Sequence, residues 1–157
     1  MTRLLFILNI LELESNSYFD FMISIVLAMV AGFCVGLERQ MKNKNAGLKT
    51  YALVSVGAAI FTNISLQYIG IEYVDLSRII GHIIVGVGFL GAGVIIIRDH
   101  KIKGLATAAT IWCSAGLGCM AALKLYIELV SAVVVIVIIN IIFGYLNHKI
   151  ERKNKPE

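Results

Sequence analysis

The chain has 157 residues, of which 59% are hydrophobic and 15% charged, and its mean hydropathy is +0.85. A soluble domain of this length cannot hide that much apolar surface, so the sequence reads as an integral membrane protein without room for a large soluble domain. The net charge of +4 then points to the cytoplasmic membrane face, where Lys and Arg collect, rather than to nucleic acid.

Residues 1–20 form an N-terminal segment that opens with Arg3 and a short apolar run, Leu4 to Leu13, interrupted by Asn9. The run is too short to span. It resembles a signal-peptide core, but Ser15–Ser17 is a weak cleavage site, and an interfacial helix is the expectation. The transmembrane domain is expected over 21–146. Its first span covers about Phe21–Leu37, where Gly32 and Gly36 make a GxxxG pair on one helix face, suited to close helix packing in lipid. Glu38 and Arg39 follow at once, in a basic loop that runs to Lys49.

A second span, about Thr50–Ile69, carries Ser55, Thr62, Asn63, Ser65 and Gln67, which should face the bundle interior. The third span, about Arg78–Ile97, follows Asp75 and is rich in glycine. Gly86, Gly88 and Gly91 spell GxGxxG, but the residues before them are continuous with the apolar run. The strand–turn–helix context of a dinucleotide fold is missing. Together with Gly93 these residues are expected to serve helix packing. The fourth span, about Leu105–Leu123, is rich in Ala, Ser and Gly, and Thr107 and Thr110 are expected to back-bond to their own helix. The fifth, about Tyr126–Leu146, is Val/Ile-rich with Asn140 as its polar exception, and belongs at the lipid-facing edge. A basic tail, 147–157, follows it. Cys34, Cys113 and Cys119 all fall inside spans and read as buried free thiols; their spacing matches no metal pattern.

The loops after spans one and three and the tail hold eleven of the fourteen Lys and Arg, all but Arg3, Arg78 and Lys124. The fold class is therefore all-α, with five transmembrane helices, the N-terminus outside and the C-terminus cytoplasmic. Ala46–Ala52, AGLKTYA, and Lys103–Ala109, KGLATAA, share GLxTxA. This is either a chance match or the trace of a parallel repeat of helical hairpins, as in transporter folds.

Several polar residues are candidates for function. Glu38 and Arg39 form either a charged pair that closes a polar path or docks a partner, or an interfacial anchor whose side chains reach water. Asp75, Arg78 and His82 share a helix face. Asp75 also reads as the N-cap of span three. His82 lies about one turn inside the span, where an ionisable group is costly unless paired or hydrated, and reads equally as a hydrogen-bonded structural histidine. Asn63 and Gln67, with Asp75 and His82, are expected to line an outer vestibule. One carboxylate among neutral amides would suit a mostly hydrated Mg²⁺, with Asp75 the best metal candidate, but not a dehydrating cage. The sequence shows no Ser/His/Asp or Cys/His arrangement, no paired buried carboxylates and no metal-ligand cluster, so no enzyme and no tightly held cofactor are expected.

Three segments, Leu27–Thr50, Asp75–Val94 and Gly104–Trp112, stand in an order and spacing that resembles the MgtC/SapB family of bacterial inner-membrane proteins. The resemblance covers about Ile25–Gly118. It marks Glu38, Arg39, Lys49, Thr50, Asp75, Arg78 and His82 as positions of interest. The chain departs from the pattern at Gln40, where an acid is usual after the Glu–Arg pair; at Lys49, for arginine; at Leu76, for proline; and at His82, for glutamine. The resemblance implies a short form with the transmembrane domain alone, a tie to growth at low magnesium and, in pathogens, to virulence. It also implies a possible membrane protein partner, the F-type ATP synthase. Contact with acidic membrane lipids and a homo-oligomer packed through glycines complete the expectations. A magnesium or other ion transporter or channel is the alternative.

Overall fold

A computed structural model describes the backbone of residues 2–44, 46–70, 75–98 and 101–153, and the side chains of 17–44, 46–70, 75–97 and 101–146. Among these residues there are five helices and one small hairpin: α1 Thr2–Met41, α2 Leu48–Leu66, α3 Leu76–Ala92, β1 Ile96–Arg98, β2 Lys101–Lys103, α4 Leu105–Ala122 and α5 Tyr126–Lys153. Three helices are long and apolar enough to cross a membrane by length and composition: Ser17–Met41 within α1, α4, and Tyr126–Leu146 within α5. At 17 residues α3 is shorter, and α2 buries the polar Ser55, Thr62 and Ser65.

The core is made of small residues because the helices approach at backbone distance. α4 lies at the centre and packs against all four other helices. A Cβ on Gly32 would stand 2.5 Å from the Tyr51 carbonyl oxygen, and one on Gly36 2.8 Å from Leu48 Cα, so the GxxxG face of α1 is where α2 docks. α4 meets the same stripe of α2: Gly118 is pressed against the Ser55 carbonyl oxygen, and Ser114 Oγ donates to the Tyr51 carbonyl at 2.9 Å. Without a hydrophobic drive between helices in lipid, this dispersion contact and interhelical hydrogen bonding hold the bundle. Among its described residues α5 buries only Leu129 of its large apolar side chains, as its Val/Ile composition predicts for a lipid-facing edge.

The helix boundaries differ from the sequence expectation in three places. α1 runs without a break through residue 20, where an interfacial segment was expected to give way to the first span; the side chains before residue 17 lie outside the described set. α5 likewise continues as helix beyond Leu146 into the basic tail. The third span stops at Ala92 rather than Ile97, and the basic loop after it is an antiparallel hairpin with Ile97 opposite Ile102. The cause is local. Gly93 ends the helix, four β-branched residues follow, and Gly104 closes the hairpin at φ +95°, with its missing Cβ replaced by the Val94 carbonyl. Cys34 is a second correction: it faces outward, while Cys119 is buried and Cys113 half-buried.

The two GLxTxA segments both open a helix, Gly47 as N-cap of α2 and Gly104 as N-cap of α4. At α2 the cap is supplied by Gln40, whose Oε1 accepts from the Leu48 amide at 3.2 Å. A neutral carbonyl can fill this capping role as an acid would, which gives the Gln40 departure a local rationale. The turn between α4 and α5 places Lys124 at φ +60°; its amide donates to Ala121 O and that of Leu125 to Met120 O, a Schellman ending without the usual glycine. Lys124 Nζ is ion-paired with Asp20 of α1, a hydrogen bond that holds the ammonium above its ordinary pKa.

Candidate functional site

Four helices converge on a polar node at the end of the bundle where α1 finishes and α2 and α4 begin. Arg39 lies on the inward face of the last turn of α1 and is only 4% exposed. Its Nη2 donates to Thr107 Oγ1 on the first turn of α4 at 3.0 Å, and its Nε finds no partner. Glu38, one position earlier, has a side chain 9% exposed and sits 2.6 Å through Oε1 from Lys42 Nζ, one turn on. Its Oε2 accepts no hydrogen bond. Lys42 in turn donates to the Asn140 carbonyl of α5 at 3.1 Å, its ammonium lying where a Cβ on Gly144 would be.

The remaining groups come from α2, α4 and α5. Tyr51 is fully buried and its hydroxyl is unpartnered. Thr110 donates to Ala106 O at 2.7 Å and lies 3.4 Å from Asn140 Oδ1, whose Nδ2 is also free of partners. The node thus gathers one carboxylate, two cations, a phenol, two hydroxyls and an amide, with Lys42 at its exposed rim. An anchoring role for Glu38 and Arg39 at the interface is overturned by their burial: neither side chain reaches solvent as a snorkelling group would. Thr107 is a further correction. It accepts from Arg39, whereas Thr110 does back-bond to its own helix as expected.

The outer vestibule does not assemble. Asn63 Nδ2 donates to Ser24 Oγ and Ala59 O, both at 2.8 Å, tying α2 to α1. Gln67 lies exposed past the end of α2. Asp75 caps α3: Oδ1 accepts from the Ser77 amide at 2.8 Å and Oδ2 from the Ser77 hydroxyl at 2.9 Å. Those two bonds hold its carboxyl below the usual range. Arg78 is exposed, and His82 borders an apolar groove of about 510 Å³ between α2 and α3, lined also by Gly57, Phe61, Gly86 and Leu90. Lys49 and Thr50 are exposed on the first turn of α2. Among the described residues no group of three His, Cys, Asp or Glu could hold a metal ion.

The glycines of α3 divide. Gly91 packs against Ala108 of α4, and Gly93 meets only carbonyls of its own last turn, whereas Gly86 and Gly88 face open space. Sequence reasoning passed over Tyr51, Thr107 and Lys42 as members of the node. The signals available were the i, i+4 spacing of Glu38 and Lys42 and the shared threonine of the GLxTxA segments.

The sequence model of the MgtC family matches residues 25–149. "Putative magnesium transporter YhiD" of Escherichia coli K12 is 35% identical over 144 residues, 86% of this chain and 66% of that protein. "Protein MgtC" of Salmonella typhimurium LT2 is 40% identical over 129 residues, 82% of this chain and 54% of that protein. An uncharacterized protein of Synechocystis, slr0014, is 37% identical over 134 residues, 82% of this chain and 56% of that protein. The chain therefore spans between about half and two thirds of the length of these curated relatives. No solved structure matches it.

Proposed function

Because the chain belongs to the MgtC family, we propose that it is a non-enzymatic, multi-pass protein of the bacterial inner membrane that regulates or assists a membrane partner during magnesium limitation or envelope stress. The observation that carries this reading is how the polar groups within the bundle are used. Asn63 ties α2 to α1, Ser114 ties α4 to α2, and Arg39 ties α1 to α4. Two cavities, of about 510 and 400 Å³, are lined by apolar residues, with His82 their one ionisable member apart from cysteine. Among the described residues these polar side chains serve as struts between helices. Lys42, Lys44 and Lys49, exposed around the end of α1 and the start of α2, make the surface such a partner meets. The ATP synthase is the partner that the family resemblance offers, and a homo-oligomer through the open face of α3 at Gly88 is compatible with this reading.

A transporter is the second reading, favoured by the printed name of the Escherichia coli relative. Magnesium flux into liposomes carrying the purified protein separates the two. We expect flux no greater than in empty liposomes, and Glu38→Gln to weaken co-purification of a membrane partner in mild detergent. Magnesium-dependent flux abolished by Asp75→Ala or Arg78→Ala overturns the regulator and makes this a transporter.

A further inference from the structure

We propose that the β1–β2 hairpin is a lipid-binding element: it lies in the plane of the membrane interface, with Ile97 and Ile102 in the acyl-chain boundary and Lys101 and Lys103 on the phosphates of anionic lipids.

Length places the hairpin. At about 1.5 Å per residue α3 spans roughly 25 Å and α4 roughly 27 Å. A hydrocarbon core is about 30 Å thick, so both helices fall a few ångströms short of crossing it, and the hairpin that joins them carries the chain on toward the headgroups. The connection there is apolar: Ile95, Ile96, Ile97, Ile102 and Leu105 are all exposed, Ile97 by 75% and Ile102 by 57%. Backbone chemistry limits the depth. A two-stranded hairpin has two unpaired edges, and unpaired amides and carbonyls are excluded from the hydrocarbon. The headgroup region, where water and phosphate satisfy those edges, is the one depth that accommodates both the edges and the isoleucines.

The register then sorts the side chains. Ile97 pairs with Ile102 across the ladder, so the two share a face. Lys103 pairs with Ile96 on the other face, and Lys101 alternates with Ile102 to lie there too. Both lysines are exposed. Gly104, folded against the Val94 carbonyl, fixes the stem so that the hairpin does not swing away from the helix ends. Apolar beneath and cationic above is the pattern that recognises an anionic phosphodiester headgroup, and it commits the face to lipid rather than to a protein helix. The inference rests on the chain being a membrane protein and is independent of whether it regulates or transports.

The test uses purified protein in vesicles of phosphatidylcholine and phosphatidylglycerol, with no other protein present. Trp112 is replaced by Phe, and Ile97→Trp is introduced as the reporter; Ile102→Trp reports on the same face should the first variant fail to fold. We expect blue-shifted emission that is quenched by bromines placed near the headgroup end of the acyl chains. We also expect Lys101→Gln with Lys103→Gln to lower phosphatidylglycerol retained through mild detergent on the order of thirtyfold, at roughly fivefold per lysine near an anionic surface. Solvent-like emission without quenching overturns the placement. Quenching that falls as the protein-to-lipid ratio rises assigns the face to a second copy and also overturns it. Unchanged phosphatidylglycerol retention in the double variant overturns the anionic-lipid assignment.

Discussion

Arg39 is the residue on which the node turns. A guanidinium stays charged at any physiological pH, and inside a bundle it must be hydrogen-bonded or compensated. Here Thr107 accepts from one nitrogen, while Glu38, one position earlier, is ion-paired with Lys42 instead. Replacing Arg39 with Met roughly keeps the volume but removes the charge and the hydrogen bond to Thr107 that ties α1 to α4. Hydrogen bonds to charged groups contribute about 1.5–3 kcal/mol, so Arg39→Met should lower stability by about 2 kcal/mol, read as a lower melting temperature in detergent. Arg39→Lys should not rescue it, because an ammonium lacks the planar fork. An unchanged melting temperature for Arg39→Met would show the guanidinium to be idle.

At the scale of elements, the sequence was most informative where the cause is local. The GxxxG pair of Gly32 and Gly36 announced the α1–α2 contact, and the Val/Ile run of 126–146 announced an outer helix. Asp75 as a cap could be read from its place before the apolar run. The end of α3 and the inward turn of Arg39 could not. The first depended on a hairpin closing through Gly104, and the second on which residue of α4 would lie across from α1, a contact 68 positions away in the chain. Gly116 and Gly118 show the same limit, since one helix carries both and only packing tells them apart. A Cβ on Gly118 would overlap the Ser55 carbonyl, whereas one on Gly116 meets nothing within 4 Å. Gly118→Ala should therefore destabilise by about 3 kcal/mol through forced separation of α2 and α4. Gly116→Ala should be neutral or stabilise by up to about 1 kcal/mol through helix propensity. Thermal unfolding of both variants in the same detergent decides it, and equal effects would refute the packing.

For the whole molecule the question is orientation. The helices alternate in direction, so the hairpin, the node and the end of α5 lie at one end of the bundle and Asp20 and Lys124 at the other. The positive-inside rule puts the first of these ends in the cytoplasm. A fluorescent protein fused after residue 157 should then fluoresce, and alkaline phosphatase inserted between residues 70 and 75 should be active. The reverse pair of results would invert the topology and place the hairpin's lysines outside.

Asp20 and Lys42 both belong to α1, and each is tied to the α5 side of the molecule, one through the turn at Lys124 and the other through the Asn140 carbonyl. The helical rise puts them roughly 33 Å apart, close to the thickness of a bilayer's hydrocarbon. The pair acts as a gauge block. α1 cannot tilt relative to α5 without straining one of its two fasteners. Accommodation to bilayer thickness falls instead to α3, the one helix whose ends carry no such fastener among the described residues.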